Sequence, residues 1–106
     1  MRRPVLAGCL AAALLAPLTA LADATTTGGH PACGQPHWLE AAVAFTEEGN
    51  DARYERYVDT GRCITTREGM DVEIIARYGD ANNDRVEILF RGIRFFTVAE
   101  AVAAKL

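Results

Sequence analysis

The amino-acid sequence predicts an α+β protein in which an N-terminal helical hairpin is tied by a disulfide to a small antiparallel β-barrel. Two observations support this fold class. The spacing of apolar residues changes at Cys63 from a helical period of three to four residues to strict alternation. In addition, only Cys33 and Cys63 follow the apolar leader, and they flank the predicted helices. We therefore expect a single small domain at residues 36–106, helical over 36–60 and β-rich over 61–106.

Residues 1–22 have the features of a secretory signal peptide. A basic start, Arg2-Arg3, precedes an apolar stretch over residues 5–18. An Ala-Leu-Ala triplet ending at Ala22 then offers the small side chains that a signal peptidase requires. The apolar stretch is too short and too rich in alanine for a stable membrane span. We therefore expect a periplasmic or secreted mature chain of 84 residues.

Two other kinds of leader fit parts of this segment. Cys9 ends a short lipoprotein-like motif, but it precedes most of the apolar stretch, so cleavage there would divide the leader in its middle. The two arginines resemble the start of a twin-arginine signal, although such a pair is also common in ordinary export signals. The ordinary signal peptide is the favoured interpretation.

The predicted mature chain is acidic. Without Arg2 and Arg3 it has nine basic and fourteen acidic residues, and hence a formal charge of −5. Nucleic acids and anionic membranes attract proteins through a positive field, so neither is an expected partner. A charge of this size favours a monomer in solution, and no residue pattern indicates a cofactor.

Two cysteines in an exported chain allow a single pairing, so we predict a disulfide between Cys33 and Cys63. The loop that it closes has about thirty residues, which in the chain-entropy model stabilises the fold by roughly 3–4 kcal/mol. A domain of this size is close to the limit at which folding benefits from a cross-link. The alternative, two free buried thiols, stays open at this point.

The segment between the leader and Cys63 is predicted to be a tail followed by two helices. Residues 23–35 contain threonine, glycine and proline without periodic apolar positions, which indicates a flexible tail. A helix over residues 36–48 follows, with a proline in its first turn and an apolar stripe. Gly49 ends it, and an asparagine then caps a second helix over residues 51–59.

Beyond the second cysteine the sequence predicts four strands separated by turn-forming residues. Their ranges are 63–67, 70–78, 85–90 and 93–96. A tight reversal is expected at Arg91-Gly92. Thr97 and Glu100 are expected to form the capping box of a short C-terminal helix or turn.

The alternation also predicts which side of the sheet is buried. One face is apolar throughout, and its residues are Val72, Ile74, Ala76, Val86, Ile88, Phe90, Ile93 and Phe95. The opposite face is mixed, with Ile75, Leu89 and Phe96 among arginines and glutamates. A sheet with one apolar face and some apolar residues on the other favours a curled barrel with the helices on part of its outside.

A recurring order of turns and strands extends from Gly61 to Leu106. It comprises Gly61-x-Cys63-Ile64, Gly69-x-x-Val72, Ile74-Ile75, Val86-x-Ile88, a turn at Gly92 and an aromatic strand that runs into a final helical turn. This pattern resembles the SH3-like small barrels of bacterial proteins, including small exported ones with a helical N-terminal half and a cysteine pair. The resemblance implies an SH3-like antiparallel β-barrel. Phe95-Phe96 replaces the tryptophan usual in that family, so no binding residue is carried over.

Two clusters contain the residue types of a metal site. His30, Cys33 and His37 offer imidazole and thiolate ligands suited to copper or zinc, but a disulfide would remove the thiolate. The turn over residues 80–84 resembles the start of a calcium loop, but arginines stand where the glycine and the final glutamate are required. We therefore predict no metal site and keep a metal carrier as an alternative.

No catalytic site is predicted. The chain contains no serine, its two mature cysteines are expected to be paired, and its β half contains no histidine. Adjacent carboxylates such as Glu47-Glu48 have the pattern of a solvated face rather than of an acid–base pair. We expect a protein that is not an enzyme.

A surface of arginines and aromatic residues is the remaining candidate site. It would suit an acidic protein or an anionic polymer. The candidate partner-binding residues are Arg77, Arg85, Arg91, Arg94 and Phe96. The alternative is structural, with Phe96 buried under the helices and the arginines paired with Glu73 and Glu87 across the strands.

These observations lead to one functional hypothesis and two alternatives. The hypothesis is a non-catalytic exported module that binds a protein or a cell-envelope component. The first alternative is an inhibitor or immunity-type protein of an exported enzyme, for which a rigid cross-linked scaffold is suited. The second is a periplasmic metal carrier that uses His30 and His37.

Overall fold

The computed structural model describes residues 22–105, which form an α+β fold with two α-helices and one seven-stranded antiparallel sheet. The predicted signal peptide lies outside the described residues, except for Ala22. The strands are β1 (Ala22–Thr26), β2 (Pro31–Cys33), β3 (Cys63–Thr65), β4 (Asp71–Gly79), β5 (Asp84–Phe90), β6 (Ile93–Val98) and β7 (Val102–Ala104). The helices are α1 (Pro36–Glu47) and α2 (Asp51–Asp59), and a 3-10 helix at Ala99–Ala101 precedes β7.

The sheet is strongly curved. Its strand order is β3-β2-β6-β5-β4-β1-β7, so β1 and β2 stand four strands apart although only residues 27–30 join them. Four spacings in a flat sheet measure about 19 Å, whereas five extended residues reach about 17 Å. Two backbone hydrogen bonds of 2.8 Å join the end of β1 and the segment that follows it to the segment after β3. They run from Gly69 N–H to Thr26 O and from Gly29 N–H to Thr66 O. The sheet therefore curls back on itself.

The predicted closure into a four- to five-stranded barrel is not observed. Among residues 22–105 the sheet has two edges, β3 and β7, each paired with one strand only. The difference arises from three extra strands: β2 inserts between β3 and β6, and β1 and β7 extend the sheet beyond β4. The fold shown is an open, curved sheet with a helical pair on one face.

The prediction of a flexible tail over residues 23–35 is wrong, because this segment supplies β1 and β2. Ala24 and Thr26 are buried while their neighbours are not, which is the alternation of a strand with one covered face. The Thr26 hydroxyl donates to the backbone oxygen of Arg67 and accepts from the N–H of Met70. Small and hydroxyl side chains fill this part of the core, so no large apolar residue marks it in the sequence.

The predicted helices are confirmed. α1 begins at a proline as expected and ends one residue earlier than predicted, and α2 has the predicted bounds. Asn50 caps α2, its side chain accepting a hydrogen bond from the N–H of Arg53 at 3.3 Å. No helix within residues 22–105 is both long enough and apolar enough to span a membrane.

The predicted disulfide is present, which excludes the alternative of two free thiols. Cys33 in β2 lies opposite Cys63 in β3, and their sulfurs are bonded. Both residues are buried and pack against Leu39 and Ala42 of α1. Because the bond closes a loop that contains α1 and α2, it fastens the helical pair to one edge of the sheet.

Both faces of the sheet contribute to a core. The inner face carries Ala24, Val72, Ile74, Val86 and Ile88, against which Met70, Phe90, Phe95 and Val102 pack. The outer face carries the disulfide and Phe96, which meet the apolar stripe of α1 and the tyrosines of α2. The helices therefore cover the mixed face, as the sequence predicted.

A β-bulge in β4 corrects the predicted assignment of the two faces. Ile74 lies opposite Ile88, but Ala76 lies opposite Glu87, so the ladder contains one extra residue. Residues after the bulge therefore point to the other side, where the Tyr78 ring meets the ring of Phe96 edge-on at 6.0 Å. The prediction that Ala76 lies on the apolar face is wrong. Ile93, also assigned to that face, is 59% exposed.

The predicted capping box at residues 97–100 is also wrong. Thr97 is fully buried inside β6, where its hydroxyl donates to the carbonyl oxygen of Pro31 at 2.7 Å. The 3-10 helix that follows has no side-chain cap, and β7 then pairs with β1. The hydroxyl satisfies a buried carbonyl between two strands, and it is therefore not available to cap the turn.

Candidate functional site

The structure separates the five predicted partner-binding residues instead of bringing them together. Arg85 is buried beneath α1, and its guanidinium makes two hydrogen bonds with Glu40, of 2.8 and 2.9 Å. Phe96 is half-buried against the disulfide and Tyr78. These two residues join the sheet to the helices.

The three other predicted residues are exposed, but they lie in different places. Arg94 pairs with Glu87 on the neighbouring strand at 2.7 Å, as the structural alternative predicted. Arg77 lies opposite Val86, on the other face of the sheet from Arg94. Of the five, only Arg91 lines a substantial depression of the surface.

That depression has a volume of about 540 Å³ and lies between three segments of chain. We call it the β3 groove. β3 supplies Ile64 and Thr65, the bend before β4 supplies Arg67, Gly69, Met70 and Asp71, and the end of the β5–β6 hairpin supplies Phe90 and Arg91. The groove therefore has apolar side chains and two arginines, although the chain as a whole is acidic.

The two arginines of the β3 groove have no carboxylate partner. Within residues 22–105, neither Arg67 nor Arg91 forms a salt bridge, and the Arg91 guanidinium lies 5.1 Å from the ring centroid of Phe90. The one acidic lining residue, Asp71, is bound by Lys105 at 2.9 Å, and this hydrogen bond raises the pKa of Lys105. The groove thus offers two arginines without a salt bridge beside apolar surface. Arg91 also lines an adjoining depression, which it shares with Asp23, Asp71 and Glu73.

The groove runs along a free edge of the sheet. Ile64 and Thr65 are consecutive in β3 and point to opposite faces, yet both line the groove. This arrangement indicates a groove that passes along the edge of the strand. β3 pairs with β2 alone among the described strands, so its second edge is unpaired.

A second depression meets the groove at Thr65. We call it the α2 cleft; its volume is about 430 Å³, and it lies between α2 and β3. It is lined by Asp51, Tyr54, Glu55, Val58, Asp59 and Thr65. The Tyr54 hydroxyl lies 2.6 Å from the Thr65 hydroxyl oxygen. The two depressions have opposite charge, because arginines line the first and carboxylates line the second.

Arg91 has a backbone conformation that arginine disfavours. Arg91 and Gly92 join β5 to β6 with φ values of 52° and 80°, the left-handed pair of a type I′ reversal. Asn-Gly is the preferred sequence there, and a left-handed conformation costs most other residues about 1 kcal/mol. An arginine at this position favours a role for its side chain outside the turn.

Another group of aromatic and basic side chains lies on the helical pair. The Arg62 guanidinium lies between the rings of Tyr57 and Trp38, at 5.0 and 5.9 Å from their centroids. Phe45 meets Tyr57 edge-on at 5.2 Å. These groups satisfy one another within the chain, so we assign them a structural role.

The possible metal ligands are placed elsewhere. Cys33 is in the disulfide and is no longer a thiolate beside the two histidines. Asp80 accepts hydrogen bonds from the N–H groups of Asn82 and Asn83, each of 2.9 Å, which explains the acidic turn without calcium. No group of three or more potential metal ligands is found in the described part of the chain.

Comparison with protein-family models, with curated proteins and with solved structures found no match to this chain. The assignment of the β3 groove therefore depends on its geometry and charge.

The sequence identified one residue of the β3 groove and missed the others. The candidate surface predicted from the sequence contains Arg91 but not Arg67, Ile64 or Met70. The available signal was the turn at Gly69, whose φ of 82° marks a sharp bend beside a strand. That bend gathers residues from both of its sides into one depression, which alternation along a strand does not predict.

Proposed function

We propose that this chain is a non-catalytic, exported module that binds a protein or cell-envelope component, and that the ligand binds in the β3 groove. The observation that carries this proposal is the pair of unpaired arginines beside apolar side chains along an unpaired strand edge. A sheet edge supplies main-chain hydrogen bonds and a groove supplies side-chain selectivity, which together are sufficient for recognition.

Three other basic residues support the same location. Arg85, Arg94 and Lys105 each have a carboxylate within 2.9 Å, so their charges are compensated inside the chain. Arg77 also forms no salt bridge among the described residues, but it lines neither depression. Ile93, which is 59% exposed, lies directly opposite Phe90 in the β5–β6 ladder and so borders the groove. Exposed apolar surface beside uncompensated charge is typical of a binding site.

Two finer features belong to the same proposal. Export is supported by the leader sequence and by the disulfide, since disulfides persist in oxidising compartments. A relation to SH3-like barrels is supported by the sheet curvature and the turn order, although the sheet has two edges in the described residues.

Site-specific photo-crosslinking in the producing organism tests the location of the site. A photoreactive phenylalanine analogue replaces Ile93 at the border of the groove. In the matched control it replaces Ala81, which is exposed in the turn at the opposite end of β5. We expect a discrete adduct from position 93 that the control does not give, and its loss in the Arg67→Glu/Arg91→Glu variant. The absence of an adduct at position 93, or equal adducts at both positions, would contradict the proposal.

A further inference from the structure

Building on the proposed function, we infer that the ligand is an extended peptide that adds as a strand to the free edge of β3. Its C-terminal carboxylate binds at Arg67 and Arg91, an apolar side chain enters the β3 groove, and an upstream basic residue faces the α2 cleft. Three features of the molecule support this ligand: the hydrogen-bonding pattern of β3, the apolar lining of the groove and the opposite charges of the two depressions.

The free edge of β3 presents main-chain groups in the orientation that a strand requires. Gly34 N–H donates to Arg62 O, and Thr66 N–H donates to His30 O. In an antiparallel pair of strands, every second residue exchanges hydrogen bonds with the partner strand, and the residues between them point their N–H and C=O groups away from it. Thr65 is therefore a residue whose N–H and C=O point away from β2. Its N–H makes no hydrogen bond to another described residue outside that ladder. An incoming extended chain would supply the missing partners.

The apolar part of the groove fits a side chain of that incoming strand. Ile64, Met70 and Phe90 line one depression beside the edge, and each is only partly buried. Alternate side chains of an added strand point to the same side, so one apolar side chain would enter the groove and its neighbours would face solvent. Methionine adapts its shape to different apolar partners, which suits a pocket that accepts several residues.

The charges of the β3 groove and the α2 cleft determine which end of the peptide lies in which depression. Arg67 and Arg91 line the β3 groove, and Asp51, Glu55 and Asp59 line the α2 cleft, which joins the groove at Thr65. Arginines bind carboxylates through charge-assisted hydrogen bonds, and the acidic cleft would attract lysine or arginine. A uniformly anionic polymer fits the arginines but is repelled by the cleft. A peptide with opposite charges at its two ends fits both.

Selection from a library of random heptapeptides with free C-termini tests this inference, using the folded chain with its disulfide intact. β3 is three residues long, about 10 Å, so a heptapeptide is long enough to extend along β3 and reach both the β3 groove and the α2 cleft. We expect enrichment of an apolar last residue preceded by lysine or arginine. Amidation of the C-terminus of a selected peptide should weaken binding at least tenfold, because a charged partner of the arginines is removed.

Matched variants of the chain locate the binding. Arg91→Gln and Arg67→Gln should each weaken the acid form of the peptide about tenfold and leave the amide form unchanged. Arg77→Gln, on an exposed arginine that lines neither depression, should change neither. Glu55→Lys should weaken binding, and a peptide with glutamate in place of its basic residue should restore it. Circular dichroism confirms that each variant is folded.

The possible outcomes separate this inference from the proposed function. If no peptide is enriched, or if acid and amide bind equally, the peptide inference is wrong. If position 93 still gives its adduct in that case, the groove binds a ligand of another class and the proposed function stands. If Arg77→Gln weakens binding as much as Arg91→Gln, the arginines of the groove are not the carboxylate site.

Discussion

Arg85 joins the two halves of the molecule through one ion pair. Its side chain is 9% exposed, whereas that of Glu40 is 52% exposed. Removing one partner therefore leaves the other in a different environment, buried for Arg85 and half in solvent for Glu40. The hydrogen bond from Arg85 lowers the pKa of Glu40 below its ordinary value, against the opposing effect of burial. A buried guanidinium without a partner is costly, while a half-exposed carboxylate without one is hydrated.

Substitutions of the two partners should therefore have unequal effects. Glu40→Gln leaves the buried guanidinium without its anion and should lower the free energy of unfolding by about 1–2 kcal/mol. Arg85→Met leaves a solvated carboxylate and fills the space with an apolar chain, so it should cost less than about 1 kcal/mol. Urea denaturation of both variants measures the difference. Equal losses would show that the burial of Arg85 does not set the energetics of the pair.

The same pair predicts how stability depends on pH. Because the folded pKa of Glu40 is lowered, the stabilisation is complete above the pKa of the unfolded glutamate, about 4.3. It is lost as pH falls through the lower folded value. Denaturation midpoints should therefore decline below about pH 5 in the parent chain, and less steeply in Glu40→Gln. Identical acid limbs for the two proteins would rule out this contribution.

Arg91 should destabilise the fold slightly while it contributes to ligand binding. Asparagine tolerates the left-handed conformation of this position better than arginine does, so Arg91→Asn should raise the free energy of unfolding by about 0.5–1 kcal/mol. The same change removes a charge from the β3 groove and should weaken ligand binding. Thermal unfolding and the position-93 adduct yield are the two measurements. A variant that is both more stable and fully able to bind would remove Arg91 from the site.

The sequence predicted which arginines lie in or beside the strands, but it did not predict the environment of each one. Arg85, Arg91 and Arg94 all alternate with apolar residues, so their pattern alone assigns them to one exposed surface. The structure distinguishes them by distant partners: Glu40 on α1 for the first, Glu87 on β5 for the third, and no carboxylate among residues 22–105 for the second. Such partners lie far away in the chain, and periodicity contains no information about them.

At the scale of elements, the β4–β5 hairpin depends on a glycine that the sequence marks only as a turn signal. A Cβ atom at Gly79 would clash with the backbone oxygen of Asn83, and the residue has a φ of 93°. Gly92 closes the β5–β6 hairpin with a similar φ of 80°, but a Cβ there would have no neighbour within 4 Å. Comparison of substitutions in the two hairpins therefore separates the energetic cost of a left-handed backbone from that of a steric clash.

Alanine at these two positions should destabilise the protein to different extents. Gly92→Ala should cost about 1 kcal/mol, the penalty of the left-handed backbone alone. Gly79→Ala should cost about 3 kcal/mol or more, because the turn must also open around the new methyl group. Chemical denaturation of the two variants gives the comparison. A Gly79→Ala variant no less stable than Gly92→Ala would contradict the close approach of the backbone at that turn.

The elements with strong local signals were predicted well, and those with weak signals were missed. α1 and α2 have caps and apolar stripes, and their predicted bounds agree with the structure to within one residue. β1 and β2 were missed, because their buried positions are occupied by small residues such as Ala24, Thr26 and Ala32. β7 was missed because none of its three residues is buried. The bulge at Ile75 was missed because strict alternation assumes an uninterrupted ladder.

On the scale of the whole molecule, the disulfide holds the helical pair to the sheet. It joins β2 to β3 with a separation of 30 residues, and both helices lie inside the loop. Reduction should lower the free energy of unfolding by roughly 3 kcal/mol. The helical circular dichroism signal should be lost at lower urea concentration than in the oxidised protein. An unchanged midpoint after complete reduction would show that packing alone holds the helices in place.

The architecture and the site could be predicted from the sequence only in part. The α+β class, the disulfide and the curl of the sheet follow from composition, cysteine count and the two-faced strands. The open edges and the β3 groove do not, because they depend on where β1 and β2 return against β3 and β4. The groove combines Ile64, Met70 and Phe90, which only the folded topology brings to one place.

Strand addition to β3 is tested most directly by the amide hydrogen exchange of Thr65, followed by NMR with and without the bound partner. If a ligand strand adds to β3, the outward N–H of Thr65 should exchange rapidly in the free protein and at least tenfold more slowly in the complex. Ala104, whose N–H points away from β1 in the other edge strand β7, serves as the internal control and should not change. Unaltered exchange at Thr65 in a saturated complex, or protection at Ala104 instead, would contradict binding along the free edge of β3.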